Sequence, residues 1–141
     1  MWTFLGTKKK PCWIWLAVSY QTGQVLSFAT GRRDEVAAQQ MWCQIRASYN
    51  RKQVYTDEYK VYENLIPWWR HCVRARRNWL CPKGTGDTNK VEGVNRVLRH
   101  RVSYLVRKSL SFARNPLWLW TRLRYVIHQR NLRIARRWTN T

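Results

Sequence analysis

Three observations predict an α/β fold in which helices cover the faces of a mixed sheet. Residues 2–31 hold three segments rich in aromatic and β-branched residues and short of helix formers. Residues 34–49 and 89–108 switch to apolar residues at steps of three and four, the helical period. Between and after them, short strand-like runs alternate with helical ones, which is the pattern of a layered α/β domain.

The elements follow in order. Residues 2–6 and 13–20 read as extended, and 25–30 follows a Thr22-Gly23 turn, so the three make an antiparallel meander. In 34–49, Val36, Ala37, Gln40, Met41, Gln44 and Ile45 recur at helical spacing, and Asp34 and Glu35 lie where the helix dipole favours acids. Residues 53–56 form a short strand ending at Asp57. Residues 59–65 give one or two helical turns, stopped by Pro67. Residues 71–75 are a further strand, and 76–86 a basic loop with Pro82, Gly84 and Gly86. The clearest helix is 89–108, where Val91, Val94, Leu98, Val102 and Leu105 form one stripe and Glu92, Arg96 and Arg99 lie on another face. Pro116 opens a last basic helix to about residue 137. That order is the ribonuclease-H-like one. It divides the chain into a core at 1–115 and a C-terminal basic helix at 116–141 that packs on the core or extends from it. A fold alone gives no function.

The 141 residues carry 27 Lys+Arg against 7 Asp+Glu, a formal net charge of +20, with ten Trp. Such an excess of cations selects phosphate-rich partners. Apolar content of 45% excludes a disordered basic tail. The charge is uneven: residues 1–70 sum to +5 and residues 71–141 to +15, so the last half faces the polyanion. The uncharged stretch 11–31 is no membrane span, because Gln21, Thr22, Gly23 and Gln24 fall in its middle. No signal peptide is expected, and the location expected is the cytoplasm, at the nucleoid. Cys12, Cys43, Cys72 and Cys81 match no metal spacing and are expected as reduced thiols; His71-Cys72 with Cys81 is a weak metal signal.

With only seven acids, each can be weighed singly. Asp34 and Glu35 open a helix, Glu63 sits on a short helix, and Asp87 suits a turn or cap. Asp57 closes a strand, where ligands of open α/β sheets gather, but a strand-end turn or helix cap explains it somewhat better. Glu92 fits a capping box, Asn89-Lys90-Val91-Glu92, yet a carboxylate one turn into a helix can also share a metal with a strand-end Asp.

Several motifs carry a resemblance. Thr56-Asp57-Glu58-Tyr59 with Tyr62 resembles the TDxWxxY segment of bacterial insertion-sequence transposases of the insertion-sequence-one type. Gly86-Asp87-Thr88-Asn89-Lys90-Val91-Glu92-Gly93-Val94-Asn95-Arg96-Val97-Leu98-Arg99 resembles that family's G-x-TN-x-VE-x-xN-x-xLR, and residues 101–112 continue the likeness. The resemblance implies a DDE-type nuclease core on a ribonuclease-H-like fold. Its acids hold Mg²⁺ or Mn²⁺, two ions in a complete site, for cleavage of transposon ends and strand transfer into target DNA. By position Asp57 resembles the second acid and Glu92 the third. Asn95, Arg96 and Arg99 match family positions on the same helix and are expected at DNA phosphate.

The family's first acid precedes a Trp-Thr-Phe like Trp2-Thr3-Phe4 by a few residues, and no Asp or Glu occurs here before Asp34. Ser19 stands where relatives often carry an Asp. The chain therefore resembles the catalytic region without its first acid, and an inactive DNA-binding fragment is the alternative. Phosphate contacts are also expected from Arg74, Arg76, Arg77, Lys83, Arg107 and Lys108. Expected partners are DNA, further copies of the chain or an intact transposase, and no membrane. Most Trp residues are expected in core or cover rather than on DNA bases.

Overall fold

The computed structural model of the protein describes residues 1–45, 49, 51–73, 89–106 and 112–139. Strands β1 (Trp2–Leu5), β2 (Thr7–Val18) and β3 (Val25–Gly31) form an antiparallel sheet in that order. β2 begins earlier than its apolar residues suggest. Gly6, at φ +72°, turns the chain so tightly that Lys8, Lys9 and Lys10 lie within the strand, exposed. Gly23, also at φ +72°, closes the second hairpin: its N–H donates to Ser19 O at 2.8 Å, and Thr22 N donates to Ser19 Oγ at 3.2 Å.

Helix α1 (Glu35–Cys43) is capped by Asp34, whose carboxylate accepts from Ala37 N at 3.0 Å, with Glu35 in the first turn. It stops at Cys43, short of residue 49. β4 (Val54–Thr56) runs parallel to β5 (His71–Val73), with α2 (Val61–Leu65) and a 3₁₀ turn at Trp68–Arg70 between them. α3 (Asn89–Arg101) also ends earlier than its periodicity implies. Val102 turns extended at φ −116°, and a 3₁₀ turn, Ser103–Leu105, keeps Val102 and Leu105 buried by another route. α4 is Pro116–Thr139.

The result is a mixed α/β chain, but its strands do not merge into the single mixed sheet expected. Among the described residues the antiparallel β1–β2–β3 sheet and the parallel β4–β5 pair are separate. β4 and β5 hold only three residues each, and the free edge of β1 meets one bridge, Leu5 to Ala113. Helices cover both faces of the larger sheet. On one, Cys12, Ile14 and Phe28 pack with Val94, Leu98, Leu119 and Leu123 of α3 and α4. On the other, Trp15 and Ala29 pack with Ala37, Ala38 and Met41 of α1, flanked by Tyr59 and Tyr62. Leu98, Leu119 and Leu123 are fully buried, each contributing about 1.5–3 kcal/mol of apolar burial.

Trp13 and Trp15, two residues apart on β2, share the α1 face of the sheet: Trp15 is buried and donates from Nε1 to Arg32 O at 3.0 Å, and Trp13, packed against the same cluster, lies under the Arg33 guanidinium, 4.6 Å from its ring. Cys12 and Cys43 are free, whereas Cys72 is disulfide-bonded, so the expectation of reduced thiols fails at that position. Spacing along the chain could not reveal which sulfurs the fold brings together. No described helix is long and apolar enough to cross a membrane.

Candidate active site and nucleic-acid interface

The ends of several elements converge on one cleft of about 720 Å³. β2 delivers Val18, Ser19 and Tyr20 to its wall, β4 delivers Tyr55 and Thr56 with Asp57 just beyond, and α3 delivers Lys90, Glu92 and Asn95. Asp57 and Glu92, far apart in sequence, thus face one solvent-filled space.

Asp57 is held by its neighbours. The Thr56 hydroxyl donates to Asp57 O at 2.9 Å and lies 2.6 Å from His71 Nε2. The carboxylate accepts from Tyr59 N at 3.3 Å, so the turn role foreseen for Asp57 is also present. One carboxylate oxygen serves that turn, and the exposed side chain stays on the cleft wall.

Tyr62 lines the same cleft. Burial, then the nearby Asp57 charge, pushes its phenol up to about 12 from 10.0, so it stays a proton donor through the neutral range. Its ring packs edge-on against Trp15 at 5.9 Å. Lys90 joins the start of α3 to the second hairpin, donating from Nζ to the carbonyls of Tyr20 and Gln21 and lying 4.9 Å from the Tyr20 ring. Tyr20 in turn meets Tyr55 at 5.7 Å. These contacts tie β2, β4 and α3 at the mouth of the cleft.

Arg70, also in the wall, is occupied by backbone. It donates from Nη2 to Tyr49 O at 2.7 Å and from Nε to Lys52 O at 3.0 Å.

Asn95, expected at DNA phosphate, stands in the cleft wall. Its Oδ1 is buried in this wall and has no hydrogen-bond partner. A buried amide oxygen left unpaired is costly, and the Nδ2 of the same side chain is a donor of the kind phosphate takes. The position suits a donor or a cation. The signal available in the sequence was its place three residues after Glu92, one turn along the same side of the helix. Arg96 and Arg99 are exposed on α3 but do not line the cleft. Arg74, Arg76, Arg77, Lys83, Arg107 and Lys108 lie outside the described residues. Ser19 is buried with its hydroxyl engaged in the hairpin, so it adds no charge. Among the described residues no three His, Cys, Asp or Glu side chains cluster as a metal site.

Asp57 and Glu92 supply carboxylate oxygens of the kind Mg²⁺ takes, and that ion commonly uses one or two carboxylates, waters and substrate phosphates.

Comparison with known proteins agrees with the motifs that run through this cleft. The sequence model of the IS1 transposase family matches residues 1–118. The chain is 26% identical over 114 residues to the insertion element iso-IS1n protein InsB of Shigella dysenteriae, covering 81% of this chain and 79% of that protein. No solved structure matches it.

Proposed function

From the IS1 transposase family, to which the chain belongs, we propose that it is the catalytic region of a DNA transposase, acting in DNA transposition by metal-dependent phosphoryl transfer. The observation that carries the reading is the meeting of Asp57 and Glu92 in one cleft, on the motifs that match the family. The ribonuclease-H-like assignment belongs to the same proposal. It is supported by the antiparallel β1–β2–β3 order, helices on both sheet faces, and an acid at the C-terminal end of parallel β4. Residues 1–115 are the core of the proposal and 116–141 its basic C-terminal helix.

Asp57 and Glu92 would hold one Mg²⁺ or Mn²⁺. Bound there, the ion supplies a Lewis acid that neutralises phosphate charge and makes water or a DNA 3′-hydroxyl nucleophilic. The chain's own residues do the positioning. The His71–Thr56 pair fixes the strand end that carries Asp57, Lys90 locks α3 and hence Glu92 against the hairpin, and Tyr62 offers a proton to an anionic group in the cleft. Arg96 and Arg99 extend the basic surface along α3 toward DNA phosphate. The partners that follow are transposon ends and target DNA, with a further copy of the chain or an intact transposase, at the nucleoid.

The second reading is a DNA-binding fragment without catalysis, and one observation favours it: the described part of the cleft holds no third carboxylate. Incubation with end-bearing DNA and Mg²⁺ separates the two. Strand cleavage or transfer by the wild-type chain, reduced at least about a hundredfold in Asp57→Asn and Glu92→Gln, supports the enzyme. Salt-sensitive binding without any cleavage supports the fragment.

A further inference from the structure

Helix α4 carries a second chemical feature, apart from the cleft. Its inward stripe, Leu119, Leu123, Val126 and Ile127, is buried against the sheet. Trp118, Tyr125 and Leu132 recur every seven residues on the opposite side and are 66%, 56% and 38% exposed. Six arginines and no acid lie along the helix. Arg122 reaches over the Tyr125 ring at 6.0 Å, and Arg124 over Trp120 at 5.0 Å. Beside the stripe runs a groove of about 540 Å³ between α4 and the outer edge of β3, bordered by Tyr125, Arg124, His128 and Thr121. The family match ends at residue 118, so nearly all of this helix lies beyond it.

We propose that this outer face of α4 binds unpaired nucleic acid, with bases stacking on Trp118 and Tyr125 and phosphates paired to Arg122, Arg124 and Arg136. Open aromatic faces interleaved with guanidinium groups are the device by which proteins hold single strands, because every base has a ring face and every linkage a charge. Duplex DNA keeps its bases stacked on one another and offers this surface phosphate alone. A second copy of the helix is disfavoured, since pairing two such stripes sets arginines against arginines. A membrane surface is disfavoured as well. The helix spends its continuous apolar face on the core, and the outer rings Trp118 and Tyr125 are separated by Arg122. The proposal rests on the reading of this chain as acting on DNA, and it adds a site that works outside the cleft.

The test is fluorescence anisotropy of a labelled oligothymidylate and of a duplex of equal length, with the full chain. The double variant Trp118→Ala/Tyr125→Ala weakens single-strand binding by about tenfold for each ring and duplex binding far less, with an unchanged melting temperature. Arg122→Gln/Arg136→Gln weakens both and lowers the salt slope by roughly one for each arginine that meets a phosphate. Unchanged single-strand affinity in the ring variant overturns the proposal, as does an equal loss on duplex. So does binding to anionic phosphatidylserine vesicles that competes with the oligonucleotide, or a dimer in sedimentation that the ring variant abolishes. Loss of cleavage in Asp57→Asn with single-strand binding intact separates this site from the cleft, so either reading can fail alone.

Discussion

Asn131 on α4 stands in for a missing strand. Among the described residues β3 is the outer edge of its sheet, and its first residue, Val25, is buried, so its backbone groups cannot turn to water. The Asn131 amide answers both: Val25 N donates to Oδ1 at 3.0 Å and Nδ2 donates to Val25 O at 2.8 Å. Asn131→Ala leaves a donor and an acceptor unpaired at about 1–3 kcal/mol each, and some relaxation toward solvent keeps the sum near 2–4 kcal/mol. At 2–4 °C per kcal/mol for a chain of this size, the melting temperature falls by about 5–15 °C. Asn131→Asp keeps the acceptor for Val25 N, loses the donor, and sets a charge against Val25 O, so it is expected to destabilise too. Calorimetry and urea unfolding measure both variants. A loss under about 0.5 kcal/mol in Asn131→Ala would refute the reasoning, because it would mean that Val25 finds other partners at no cost.

Leu123→Ala empties a fully buried position between α4 and the sheet and should cost about 2–5 kcal/mol, read by the same unfolding curves. Tyr62 should keep its proton in the folded chain until about pH 12 and lose it near 10.0 when unfolded. Above pH 10 the folded state then binds more protons, so stability falls as pH rises across that window and is independent of this group below it. In Asp57→Asn the window narrows, since one of the charges that raise the phenol is gone; ultraviolet titration of tyrosinate checks the direction. Asn95→Asp adds a carboxylate where an oxygen is unpaired and should tighten Mn²⁺ binding at least about tenfold, measured by titration calorimetry.

Much of the scaffold was legible because local signals and packing agree. The meander followed from aromatic and β-branched runs, the start of α1 from Asp34 and Glu35 before an apolar helical pattern, and α3 from Val94 and Leu98, which turn out to be fully buried. The ends of α1 and α3 were misplaced for a physical reason. Periodicity reports which residues want burial, and Val102 and Leu105 obtain it through a 3₁₀ turn as well as through helix. The separation of β4–β5 from the larger sheet depends on pairings between distant segments, which short strands of three residues do not encode. In the cleft, the motifs marked Asp57, Glu92 and Asn95, which line one space, but not the unpaired Asn95 oxygen. An unpaired buried oxygen is a property of its surroundings, visible only once β2, β4 and α3 are assembled. Asn131, Lys90 and Tyr62 drew little or no functional weight in the sequence for the same reason: each acts on a backbone or a charge far away along the chain.

The central claim is that Asp57 and Glu92 act on one ion. Electron paramagnetic resonance of Mn²⁺ titrated into the full chain tests it without depending on DNA cleavage. One ion should bind per chain, displaced by Mg²⁺ and weakened at least about tenfold by either Asp57→Asn or Glu92→Gln, with the double variant little worse than the singles because the ligands act as a unit. Mn²⁺ binding that is absent, or that survives both substitutions, would contradict it.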